Sequence, residues 1–146
     1  MHLHEIFTSG HIKLHLEALD KDEVFEEMTD FLIKVSEINC RDEILNALRS
    51  REQKMSTGIK NGIAIPHGKL DNFDGIIGVL GISDKGIDYD ALDKKPVHLV
   101  FLFVSSYSKH QEHLNLLSNI AKLSENNQIL NMILNAKTKE NVNELL

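Results

Sequence analysis

The chain has 146 residues, 42% of them hydrophobic and 26% charged, with a net charge of −6. These values suit a single globular domain with a sizeable core. The excess of carboxylates, with few aromatics and no basic run, argues against nucleic acid and against an anionic membrane surface as partners.

Cys40 stands alone, which removes an internal disulfide and the Cys-based zinc patterns. The segment 1–9 holds His2, His4 and Glu5 instead of an apolar stretch of signal-peptide length. The longest strictly apolar run, 99–104, is far shorter than the roughly 20 residues a membrane helix needs. The chain therefore reads as cytoplasmic, with no direct membrane insertion. Without repeats or linkers it reads as one domain over 1–146.

Ile12, Leu14 and Leu16 alternate with Lys13, His15 and Glu17, which predicts a half-buried strand. Asp20 with Glu23 predicts a capping box, and Val24, Phe25, Met28, Phe31, Leu32 and Val35 give the helix behind it an apolar stripe. A second helix is expected over 42–52, burying Ile44, Leu45 and Leu48. The segment 54–62 is loop-like and ends on the turn signal Asn61-Gly62. Ile63-Ala64-Ile65 reads as a short strand stopping at Pro66, and 76–82 and 97–104 as two more, the last fully buried. Helices follow near 109–123, near 126–134 and after Thr138. The pattern predicts an α/β fold: a mixed sheet with helices on both faces.

Two nucleotide-binding motifs fail on inspection. Gly62 and Gly68-Lys69 mimic a phosphate loop, but the glycine spacing is wide and Leu70 stands where Ser or Thr belongs. Gly75, Gly78 and Gly81 lack the dinucleotide spacing and fall in a strand pattern. Pro66-His67-Gly68 is more informative. Proline fixes its own φ and keeps Ile65 extended, so the strand delivers His67 on a stiff stem. Gly68 removes a side chain beside the imidazole and would let a partner's backbone approach. The plain reading of the tripeptide alone is a histidine in a surface turn.

His113 lies in a helix whose Leu114, Leu116, Leu117, Ile120, Ala121 and Leu123 fill about half the circumference, and it projects into the middle of that arc. Ser108 and Gln111 suit N-cap and N3. An imidazole buried there needs a partner and sits where a helix N-terminus favours anions. The alternatives are a core histidine bonded to backbone, or a metal-ligand pair with His110 that lacks identifiable further ligands. Arg51 ends the second helix in a charged stretch, where a solvated side chain is the ordinary expectation.

Together, Arg51-Glu52, Ser56-Thr57-Gly58-Ile59, Gly62-Ile63-Ala64-Ile65-Pro66-His67-Gly68-Lys69 and Glu112-His113-Leu114 with Leu117 resemble enzyme IIA of the fructose–mannitol type. These are domains of the bacterial phosphoenolpyruvate-dependent sugar phosphotransferase system, including its nitrogen-regulatory paralogue. The resemblance runs over nearly the whole chain, and the block ending in Ile-Pro-His is highly specific. It implies a three-layer α/β/α sandwich around a mixed sheet. It implies that His67 accepts a phosphoryl group, with His113 and Arg51 beside it and Thr57 and Gly68 as candidate supporting residues. No metal or cofactor is implied.

The implied donor is the phosphocarrier protein HPr or its nitrogen-branch counterpart. The implied acceptor is enzyme IIB or a regulated target protein. Asp93-Lys94-Lys95-Pro96, where a glycine often follows the aspartate, and Ser105-Ser106-Tyr107-Ser108, which lacks a frequent proline, depart from the family pattern outside the site. In the resemblance, Arg51 would supply fixed charge suited to phosphate oxygens, and His113 would donate a hydrogen bond. A free-standing chain leans toward the nitrogen-regulatory type over a dedicated sugar-uptake component. A module that only binds is disfavoured by the presence of all three site residues.

Overall fold

The apolar run expected as a buried strand forms the middle of the sheet. In the computed structural model, which describes residues 2–146, this strand is β5 (Val97–Ser106). Met1, first residue of the segment read for a leader, lies outside the described residues. On one side β5 pairs antiparallel with β4 (Ile76–Ile87), which pairs parallel with the short β1 (Ile12–Lys13). On the other side β2 (Ile63–Ala64) and β3 (His67–Leu70) both run parallel to β5. The order β1-β4-β5-β2, with β3 also on β5, is a mixed five-stranded sheet.

Alternate residues of β5 point to opposite faces. Leu99, Phe101 and Phe103 pack with Leu116 and Ile120 of α4 (His110–Leu123), Leu130 and Ile133 of α5 (Asn127–Asn135) and Val142 of α6 (Lys139–Leu145). Val100, Leu102 and Val104 pack with Val24, Phe25, Met28 and Leu32 of α2 (Lys21–Ser36) and Ile44, Leu45 and Leu48 of α3 (Arg41–Lys54). Two apolar layers, one on each face, make the expected α/β/α sandwich. None of the helices among the described residues is long and apolar enough to cross a membrane.

Local chemistry explains both the agreements and the departures. Asp20 caps α2 by accepting from the Glu23 N–H, but the Glu23 carboxylate reaches the Leu19 N–H instead of closing the box on Asp20. The first strand is shorter than its alternation suggests, because His15 turns into the left-handed region at φ 58°. A short helix, α1 (Leu3–Ile6), carries Leu3 and Ile6 into the core ahead of it. Ser108 does not cap α4. A 3₁₀ turn over Tyr107–Lys109 precedes the helix, Lys109 takes the cap position, and the Ser108 hydroxyl meets that of Ser106. The apolar arc of α4 is also narrower than expected, since Leu114 and Ala121 are exposed.

Candidate functional site

Pro66 does not end its strand; it interrupts it. β2 and β3 keep one register against β5, with Ile63 opposite Leu99 and His67 opposite Phe103. Only the Ile65-Pro66 step drops out of the named strands, consistent with a residue that has no N–H to give. His67 is therefore the first residue of a resumed strand and not the tip of a finished one. Period-two alternation puts Ile63, Ile65, His67 and Lys69 on the face covered by α4, and Gly68 on the face covered by α3.

His67 is 8% exposed, and its Nδ1 lies 2.6 Å from the carbonyl oxygen of Ile65. A carbonyl can only accept, so Nδ1 carries the proton and Nε2 keeps its lone pair. The ring stacks on Phe103 at 5.5 Å between centroids and meets the His113 ring edge-on at 5.3 Å. Burial pulls its pKa below the ordinary histidine value, against the raising effect of the Ile65 bond, and the Arg51 charge adds to the lowering.

His113 sits in the first turn of α4 and is 5% exposed, as its position in the helix arc predicted. Its partner is the Ser105 hydroxyl, with Oγ 2.5 Å from Nδ1, not a backbone group. Ser105 projects from β5 two residues beyond Phe103, so strand and helix hold the two histidines over one aromatic ring. Burial, then the neighbouring His67, Lys69 and His110, lower the pKa of His113 to about 4. Both imidazoles are thus neutral at physiological pH.

Arg51 reaches the same place from α3. It is half-buried, and its guanidinium donates to the Met55 carbonyl at 2.8 Å. Arg51, Lys54, His67, Gly68, Lys69, Tyr107 and His113 line one open cleft of about 440 Å³. Lys69 supplies a further cation: its Nζ lies 2.5 Å from His110 Nδ1 and over the Tyr107 ring. The fold thus collects three cations around two neutral imidazoles in a protein whose net charge is −6. Such a cleft suits a dianionic group.

Two of the expected residues have other surroundings than the sequence implied. Gly68 lines the cleft, but a Cβ there would stand 2.8 Å from the Ala47 Cβ, so its missing side chain makes room for α3 and not for a visiting backbone. Thr57 is buried behind the cleft, with its hydroxyl on Glu52 and Tyr89. Lys69, Ser105 and the Ile65 carbonyl are features the sequence reading missed. Lys69 would have been found by continuing the strand past Pro66, since it lies two residues from His67. As for metal, no group of three or more His, Cys, Asp or Glu side chains among the described residues is arranged to hold an ion. His110 Nδ1 faces Lys69 instead.

Comparison with known proteins gives a consistent picture. Residues 5–146 match the family model "Phosphoenolpyruvate-dependent sugar phosphotransferase system, EIIA 2". The chain is 34% identical over 146 residues to the PTS system fructose-specific EIIABC component of Bacillus subtilis, covering all of this chain and 23% of that much longer protein. It is 30% identical over 135 residues to the PTS system fructose-specific EIIA component of Haloferax volcanii, covering 92% of this chain and 88% of that one. Among solved structures, Nitrogen Regulatory Protein IIA-Ntr from Neisseria meningitidis superposes with a TM-score of 0.90 at 29% identity, over 98% of this chain and 97% of that one.

Proposed function

Because this chain belongs to the EIIA 2 family of the phosphoenolpyruvate-dependent sugar phosphotransferase system, and is a phosphoryl carrier of that type, we propose that His67 Nε2 is the atom that carries the phosphoryl group. The observation that carries this reading is the hydrogen bond from His67 Nδ1 to the Ile65 carbonyl, which leaves Nε2 free as the nucleophile. The donor is a phosphohistidine protein of the HPr type or its nitrogen-branch counterpart.

The transfer needs no atoms beyond those of the two partners. The donor's N–P bond breaks as the bond from Nε2 to phosphorus forms, and the donor imidazole leaves with its electron pair. The Nδ1 proton stays on His67, held by Ile65, so the ring becomes cationic beside a dianion. In such an in-line transfer, charge spreads over three equatorial oxygens, and positioning and electrostatics do most of the work. Arg51 offers a planar fork for two of those oxygens, and Lys69 a mobile point charge. His113 Nδ1 is paired with the Ser105 hydroxyl, and the tautomer this reading needs is the one in which that hydroxyl donates to Nδ1 and the His113 Nε2–H donates to a phosphoryl oxygen. Its lowered pKa makes it a neutral donor, so it orients the group without adding fixed charge.

The onward acceptor is proposed as a class, either a IIB partner or a target protein regulated by the phosphorylation state. Fructose-specific names among the relatives support the first and the Neisseria nitrogen regulatory protein supports the second. Incubation with phosphoenolpyruvate, enzyme I and an HPr-type donor should add the mass of one phosphoryl group, and His67→Ala should add none. Full labelling of folded His67→Ala would sink the assignment. Offering the labelled protein to a purified IIB domain then separates the two acceptor classes.

A further inference from the structure

The loop in front of β2 behaves as a short edge strand. Gly58 and Ala64 form an antiparallel bridge flanked by the pairs Ile59–Ile63 and Thr57–Ile65. In a regular ladder such pairs exchange both N–H···O bonds, but at Ile59–Ile63 only the Ile59 N–H bonds to the Ile63 carbonyl, and the Ile63 N–H closes the turn on the Lys60 carbonyl instead. Ile65 does donate to the Thr57 carbonyl at 2.9 Å. The return bond, from the Thr57 N–H to the Ile65 carbonyl, is missing. The Thr57 N–H instead donates to a carboxylate oxygen of Glu52 at 2.7 Å. The Ile65 carbonyl, left without its ladder donor, accepts from His67 Nδ1.

Glu52 is held firmly in that position. Its other oxygen accepts from the Thr57 hydroxyl at 2.6 Å, and Lys21 Nζ lies 3.2 Å from the first. The phenol of the fully buried Tyr89 stands 2.7 Å from the Thr57 hydroxyl and 3.3 Å from the carboxylate. Burial, then the Glu52 charge, pushes the Tyr89 pKa well above its usual value, so the phenol remains a donor. A charged carboxylate has no reason to be this enclosed unless its hydrogen bonds are satisfied, and here they are.

We propose that Glu52 is a positioning residue: by capturing the Thr57 N–H it reserves the Ile65 carbonyl for His67 Nδ1 and so sets the tautomer that exposes Nε2. The functional consequence rests on His67 being the phosphoryl acceptor; the structural claim does not. Glu52 touches neither the phosphoryl group nor His67, and acts through Thr57 and Ile65. Reach therefore matters more than charge. Glutamine keeps an acceptor oxygen at the same distance, with its amide NH₂ turned to the Thr57 hydroxyl. Aspartate keeps the charge but withdraws by one methylene.

The experiment reads the His67 tautomer in the unphosphorylated protein, from ring ¹⁵N shifts in histidine-labelled wild type, Glu52→Gln and Glu52→Asp. The wild type should show His67 protonated on Nδ1, and Glu52→Gln should retain that state. In Glu52→Asp the freed Thr57 N–H competes for the Ile65 carbonyl, and the ratio of Nδ1–H to Nε2–H forms should fall about five- to tenfold, the weight of one net hydrogen bond. Phosphoryl transfer should fall with it in Glu52→Asp and recover in Glu52→Gln. An unchanged tautomer in folded Glu52→Asp, or a loss in Glu52→Gln equal to that in Glu52→Asp, would overturn the proposal. Should Glu52→Asp not fold, Tyr89→Phe, which removes one brace of the Thr57 hydroxyl and keeps the ring, must shift the same ratio in the same direction. If wild type shows the expected tautomer yet takes up phosphate on another residue, the reading of His67 fails while the role of Glu52 in setting its tautomer stands.

Discussion

Replacing Gly68 by alanine tests how tightly the strand that carries His67 is tied to the helix that carries Arg51. A methyl at Gly68 would stand 2.8 Å from the Ala47 Cβ and 3.1 and 3.2 Å from the Ala47 carbonyl carbon and oxygen. Ordinary carbon contacts lie at about 3.5–4.0 Å, so α3 or β3 must yield by close to ~1 Å. Overpacking of this kind costs about 1–3 kcal/mol. Ala47 is one helical turn before Arg51, so the same shift moves the guanidinium relative to His67. A displacement of about 1 Å in a positioned group can lower a rate as much as ~100-fold.

The compensating change is Ala47→Gly, which removes the nearest contact and by itself costs about 1 kcal/mol of helix propensity. Urea unfolding of wild type, both single variants and the double variant gives the coupling directly. The double variant should be more stable than the sum of the single costs implies by at least ~1 kcal/mol, with part of the transfer rate restored. Additivity within about 0.5 kcal/mol, the behaviour of independent sites, would refute the account of why a glycine stands there.

Removing one donor to the developing charge costs about 10²–10³ in rate in enclosed sites. His113→Ala should lie near the lower end because water enters this open cleft, and rapid-quench transfer from labelled donor measures it. Arg51→Lys should also be slowed, since a point charge cannot replace the bidentate fork. The lowered pKa of His113 predicts a definite pH dependence of stability. The unfolded chain takes up the proton first, near the ordinary value of about 6.5, and the folded site only near about 4. Stability is therefore full above the unfolded value and declines as pH falls between the two, with His67 acting in the same direction. Discounted for the water in the cleft, the loss is about 1–2 kcal/mol. Urea denaturation of wild type and His113→Gln across this range should show a shallower decline in the variant, and identical profiles would remove His113 from the explanation.

The three-layer arrangement was legible because its signals are local and redundant. The 99–104 run, the stripe of α2 and the arc of α4 each identify a buried face, and Asn61-Gly62 turns with both residues at positive φ, 57° and 78°. His67 and His113 were legible for the same reason: one sits in a short motif, the other at a fixed angle on a helix. What the sequence could not reveal depends on residues brought together from far apart. Reading Pro66 as a stop hid Lys69, which needs the strand to resume. Ser105 becomes a partner of His113 only when α4 packs over β5. Glu52 looked like one more charge at the end of a helix. Its importance appears only with Tyr89, 37 residues away, and with a ladder bond that fails to form.

The central claim is that the phosphoryl group resides on Nε2 of His67, with the proton kept on Nδ1 by Ile65. The most direct measurement is a phosphorus–nitrogen correlation spectrum of the ¹⁵N-histidine protein after phosphorylation by its donor. The account predicts one phosphorus signal coupled to Nε2 of His67, with His67 Nδ1 still protonated. Coupling to Nδ1 of His67, or to a nitrogen of His113 or any other histidine, would contradict it.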